Sequence, residues 1–236
     1  MTAKEIFYAK ISSEQNKASF FGITLKEFFN GLSEKPKNFL VLKGFSPDCR
    51  FDERLYIPYV GGTQMESYIE SLTASDEPLC LLDFEHVFYL NEMSKDELPQ
   101  LLALGDTLTL EGDFVQKHVR NKFVYIKPPA DRFSELHLKN ADDFWEIIEA
   151  KLLSGLKGRK KSIPPIPPDV AEQLTEIFRR GAIIDWEKKY STGIKLYVTG
   201  EADTPETLAE RLEKGRLSLR CVHLNLDNKT KNWKIV

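Results

Sequence analysis

Asp83 and Glu85 stand two residues apart in a run, Leu79 to Leu90, that alternates like a β-strand. Residues i and i+2 of a strand share a face, so two carboxylates at this spacing converge. Such a pair can hold a Mg²⁺ ion, as the sites of hydrolysis and phosphoryl transfer do. That chemistry needs a third ligand, and Asp48, Glu111 and Asp113 are the acids the sequence offers. His118 lies with Lys117 and Arg120 in the loop of a predicted hairpin. Its imidazole has the pKa for a general base near neutral pH. Together these residues make a metal-dependent hydrolase or nuclease one reading of the chain. Against it, no Gly-x-Ser-x-Gly occurs, and Gly61-Gly62-Thr63 is too short for a phosphate-binding loop. Asp83 and Glu85 equally fit the solvated face of a half-buried strand. His86, on the apolar face of the same run, reads as a hydrogen-bonded core histidine. No catalytic residue or metal ligand is assigned beyond Asp83, Glu85 and His118, and no cofactor is expected.

A second chemistry is phosphate binding. Arg159, Lys160 and Lys161 form a basic run, and Arg216, Arg220 and Lys231 follow in the C-terminal part. Trp233 and Tyr197 are aromatic side chains on which a base could stack. These residues make nucleic-acid binding the second alternative, although the aromatic pattern of sheet-based RNA binders is absent.

The third chemistry is recognition of another protein. Aromatic residues crowd the N-terminal part, as in Phe28-Phe29, Phe45, Phe51, Tyr56 and Tyr59, beside the acids Asp48, Asp52 and Glu53. Exposed aromatics ringed by charge suit a protein-binding surface. The leading expectation is therefore a non-catalytic binding or regulatory protein with a protein partner.

The elements that position these residues follow from period and punctuation. Glu5 to Ile11 reads as a strand, followed by a polar loop. Thr24, with Glu27 three residues on, signals a capping box and a short helix ended by Gly31. Phe39 to Leu42 and Leu55 to Val60 read as strands, and Gln64 to Leu72 as a helix. Ser94 and Glu97 repeat the capping-box signal for a helix stopped by Gly105. Thr107 to Phe114 and Lys122 to Lys127 alternate like strands. A helix from Asn140 or Ala141 to Leu153 places Phe144, Ile147, Ile148 and Leu152 at helical spacing.

The C-terminal part reads α-β-β-α-β-β. Asp169 is expected to cap a helix ended by Gly181. A hairpin follows through Ser191-Thr192-Gly193, then a helix from Thr204 to Gly215, then strands at Arg216 to Asp227 and Asn232 to Val236. This order is compatible with a permuted ferredoxin-like arrangement. The expected class is α+β, with mixed or antiparallel sheets and packed helices.

Pro164 to Pro168 holds four prolines in five positions. Proline lacks an N–H and fixes φ, so the run reads as an extended connector. Residues 157–168 are accordingly a basic, proline-rich linker between an acidic, aromatic-rich module, 1–156, and a basic module, 169–236. Charge supports a division. Residues 1–158 carry 18 Lys+Arg against 25 Asp+Glu, a net of −7, and residues 159–236 carry 15 against 11, a net of +4. No run approaches the ~18 apolar residues of a membrane span. No apolar stretch of a secretory signal follows Met1, so no membrane association is expected. Cys49, Cys80 and Cys221 are odd in number and widely spaced, which points to a reducing cytoplasm.

Overall fold

The computed structural model describes residues 6–43, 50–52, 57–73, 77–94, 96–107, 120–128, 133–157, 163–186, 193–200, 207–208, 211, 220–227 and 229–236. The class is α+β, as expected, with helices packed on antiparallel strands. Two compact units emerge: residues 1–23 with 141–236, and residues 24–140. This partition differs from the one expected at residues 157–168. Its cause is a long-range strand pairing. Strand β1 (Ile6–Ser12) pairs antiparallel with β9 (Ala182–Asp185), with Phe7 opposite Ile184. The N-terminal hairpin thus completes the C-terminal sheet, and the second unit is inserted between them.

The first unit orders its strands β12-β11-β10-β9-β1-β2, where β2 is Lys17–Phe21, β10 Gly193–Val198, β11 Arg220–Leu226 and β12 Trp233–Ile235. Lys17–Phe21 belongs to the stretch expected as a polar loop. Its alternating burial marks it instead as the second arm of the hairpin. The apolar stripe of helix α6 (Pro168–Arg180) carries Val170, Leu174 and Phe178, all buried. Phe178 packs on Phe7 with ring centroids 5.9 Å apart. Phe144, just before helix α5 (Trp145–Lys157), packs on Phe20 at 5.1 Å. Both contacts lie on the sheet face shared by Phe7, Ala9 and Phe20, by strand alternation. Helix α6 begins at Pro168, with Pro167 at its cap position, so Asp169 sits in the first turn rather than capping it. Gly181 ends the helix at φ 94°, a conformation that favours glycine. Strands β10 and β11, which flank the helical residues 207–208, are direct neighbours. A ferredoxin-like split would set another strand between them, so that arrangement does not occur.

The proline run is no spacer between units. It lies inside the first unit, between α5 and α6. Trp233 donates its indole N–H to the carbonyls of Pro164 (3.2 Å) and Pro165 (3.1 Å). Ile166 is buried, and its N–H donates to Glu149.

The second unit orders its strands β8-β7-β6-β3-β5-β4, all antiparallel: β3 Asn38–Lys43, β4 Arg50–Asp52, β5 Ile57–Gly61, β6 Leu79–Phe84, β7 Phe123–Lys127 and β8 Ser134–Leu138. Helices cover both faces of its centre. On one face, Leu101 and Leu104 of α4 (Glu97–Thr107) and Leu90 of α3 (Val87–Leu90) pack with Leu40, Cys80 and Leu82. On the other, Phe28 of α1 (Leu25–Gly31) meets Phe123 edge-on at 5.3 Å. Gly105 lies inside α4 rather than ending it. A Cβ there would stand 2.5 Å from the Leu42 carbonyl, so glycine is what lets the helix approach the sheet. Among the described residues no helix is long and apolar enough to cross a membrane.

Both capping boxes form. Glu27 N–H donates to Thr24 Oγ1 at 3.1 Å, and Thr24 N–H donates to Glu27 at 2.9 Å. Ser94 and Glu97 exchange the same pair of bonds. Replacing Thr24 with Ala is expected to lower unfolding free energy by about 1 kcal/mol, and Thr24→Ser to cost only a few tenths. Urea unfolding of the two variants checks this. Equal losses would assign the cost to the methyl group instead of the hydroxyl.

Candidate functional site

The chemistry-bearing residues described in the second unit gather where β6 ends. Burial of both faces of β6 makes Leu79, Leu81 and Asp83 as inaccessible as Cys80, Leu82 and Phe84. The expected long strand through Leu90 stops at Phe84. His86 takes an extended conformation, and its Nδ1 accepts the Phe88 N–H at 3.0 Å, capping the short helix α3. His86 is exposed, not the core histidine its place in the run predicts.

Asp83 is 5% exposed rather than on a solvated face. Its Oδ1 accepts the backbone N–H of Lys122 (2.8 Å) and of Phe123 (2.7 Å). Burial pushes its carboxyl up to about 6, and these two hydrogen bonds and the Lys122 charge oppose the shift. Asp83 therefore latches the entry of β7 to the end of β6. Just ahead of that latch, Arg120 holds φ 52° and Asn121 is buried. A left-handed conformation at a side chain such as Arg costs about 1 kcal/mol, which the latch offsets.

Glu85 lies beyond the strand and is exposed. Its carboxylate stands 3.8 Å from Arg120 and 3.9 Å from Lys37. The Arg120 guanidinium lies 4.7 Å from the centre of the Tyr89 ring, within cation–π range. Lys122 pairs with Glu34, which holds its ammonium above the ordinary range, with smaller contributions from Asp83 and Glu85. Asn38 donates to the Phe84 and Glu85 carbonyls and so fixes the strand end. Phe88, the residue before Tyr89 in α3, is 57% exposed.

The structure thus places Asp83 and Glu85 in opposite environments, one buried and bonded to backbone, the other exposed among cations. Among the described residues no group of three or more His, Cys, Asp or Glu is placed to hold a metal ion. His118, Asp48, Glu111 and Asp113 lie outside the described residues, as do Arg159, Lys160, Lys161 and Arg216. Phe88, Tyr89 and Lys37 were not singled out from the sequence. The available signal was the polar pair Glu85-His86, which interrupts the apolar run.

In the first unit, Arg220 is exposed at the start of β11, and Lys231 is exposed in the turn before β12. Trp233 offers no stacking surface: it is 5% exposed, and its N–H is taken by the proline carbonyls. Tyr197 is half-buried on the other face of the sheet, with the Lys195 ammonium 5.0 Å from its ring centre. Cys221 Sγ lies 3.7 Å from His223 Nε2. Burial pushes the Cys80 thiol up to about 12, so it is no nucleophile at neutral pH. No protein-family model, curated protein or solved structure matches this chain.

Proposed function

We propose that this is a non-catalytic binding or regulatory protein, and that its second unit engages a protein partner at the end of β6. The observation that carries the reading is Phe88, an exposed aromatic that precedes Tyr89, the partner of Arg120, in α3. Aromatic residues and Arg dominate the energetics of protein interfaces when a polar rim surrounds them, and Glu85, Lys37 and His86 supply such a rim. The scaffold beneath is rigid, since the latch at Asp83 and the amide of Asn38 fix both sides of the strand end. A hydrolase built on Asp83 and Glu85 finds less support, since Asp83 is buried with its Oδ1 accepting two backbone N–H groups while Glu85 is exposed among cations. Cys80 and Cys221 are free thiols, which fits a reducing compartment such as the cytoplasm.

The test is photo-crosslinking in the cell that makes the protein, with a photoreactive phenylalanine at position 88. Leu102, 51% exposed in the same unit, is the control position. A discrete adduct from position 88, absent from position 102 and lost with Arg120→Glu, is expected. Loss of a central Arg contact weakens binding by about 30-fold or more. Equal labelling from both positions would end this reading.

A further inference from the structure

We propose that the outward face of β10, β11 and β12 is a platform for single-stranded nucleic acid. Register builds the platform. Lys195 stands opposite His223, Tyr197 opposite Cys221, and Asn225 lies between Gly193 and Lys234. Directly paired residues share a face. The reverse face holds Ile194, Leu196, Leu224, Leu226 and Trp233, all buried. The outward side chains are half-buried or exposed and carry charge, amide and ring.

Each part has a use in binding a single strand. Tyr197 and His223 are flat rings on diagonal positions of the ladder, about 7–8 Å apart, on which bases stack. Gly193 has no side chain, and a Cβ there would stand 2.3 Å from Asn225 Oδ1. The Asn225 amide therefore lies low over β10, with a donor and an acceptor for a base edge. Lys234, exposed, and Lys195, whose ammonium lies over the Tyr197 ring, flank that amide and supply positive charge for phosphates. Lys229 and Lys231 extend the charge into the β11–β12 turn. The acid of that turn, Asp227, accepts the N–H groups of Thr230 (3.1 Å) and Lys229 (2.7 Å), which with the Lys234 charge hold its carboxyl below the usual range. The whole unit carries 20 Lys+Arg against 17 Asp+Glu, a net of +3, while the other carries 13 against 19, a net of −6. Charge complementarity directs a polyanion to the first unit. Stackable rings beside an amide favour nucleic acid over an acidic protein. The surface at the end of β6 plays no part in this argument.

Fluorescence anisotropy of the full chain with labelled oligo-U and oligo-dT of about 12 nucleotides, and with duplex RNA, tests the proposal. Oligo-U or oligo-dT should bind more tightly than duplex at about 50 mM salt, and affinity should fall on going to about 200 mM. RNA above DNA would identify a contact to the 2′-hydroxyl; equal affinity would identify stacking and phosphate contacts alone. Both support the platform. Lys195→Glu with Lys234→Glu should weaken binding by about 30-fold and flatten the salt slope, and Tyr197→Ala should weaken it about tenfold. Lys234→Glu alone, at an exposed position, keeps the test valid where Tyr197→Ala fails to fold. Absence of binding at low salt overturns the proposal. So does binding that the lysine variants leave unchanged, a preference for duplex, or equal competition by polyglutamate.

Discussion

Replacing Asp83 with Asn is expected to abolish a fall in stability between about pH 4 and pH 6. In the folded protein the Asp83 carboxyl is pushed from 3.8 up to about 6 by burial. Between those values the folded state holds a proton that the unfolded chain releases. Stability from this group is therefore complete below about pH 4, declines as pH rises to about 6, and is constant above. A difference of about two units corresponds to roughly 3 kcal/mol. Asn stays neutral at every pH and still offers an oxygen to the Lys122 and Phe123 N–H groups. Asp83→Asn should therefore match the parent near pH 4 and exceed it by up to about 3 kcal/mol at pH 7. Asp83→Ala removes the acceptor itself. It should lose about 1–3 kcal/mol at pH 4, because the Phe123 N–H remains buried without a partner. Urea unfolding at pH 4, 5, 6 and 7 measures both. A pH slope that persists in Asp83→Asn would place the titration on another residue and remove the latch from the account. Amide exchange at Lys122 and Phe123, faster in the Ala variant alone, would confirm where the change acts.

That latch shows which features of the chain were legible and which were not. Capping boxes at Thr24/Glu27 and Ser94/Glu97 are signals within four residues, and both form as read. The helix ended by Gly181 is equally local. Strand β6 was legible as a strand, but its end was not. A strand buried on both faces loses its alternation, and Phe88 to Leu90 continue the apolar pattern past the true stop. The role of Asp83 depends on the start of β7, a partner remote in sequence. The same holds for the units. Pairing of β1 with β9 has no local signature, whereas the proline run has a strong one. The cluster at the end of β6 draws Lys37, Glu85, Tyr89 and Arg120 from three separate segments. Composition counts such residues and cannot bring them together.

The proline run itself yields the second large effect. Residues 164, 165, 167 and 168 have no N–H, so their carbonyls are the backbone groups left to satisfy. Trp233 supplies one indole N–H to two of them, from the edge strand β12, while its ring fills the core beside Leu226. Trp233→Ala removes both ring and donor and should cost about 3–5 kcal/mol. Trp233→Phe keeps an aromatic ring and removes the donor, and should cost about 1–3 kcal/mol through unpaired carbonyls and the smaller ring. Denaturant midpoints rank the two variants, with an unchanged m-value showing that the transition is the same. Exchange at the Ile166 amide reads the tie directly, because that N–H bonds Glu149 from the middle of the run. It should quicken in Trp233→Phe even where global unfolding is suppressed. Parent-like protection of Ile166 in that variant would mean that Glu149 and the burial of Ile166 seat the run without the indole. An unchanged midpoint as well would show that the two hydrogen bonds contribute nothing to stability.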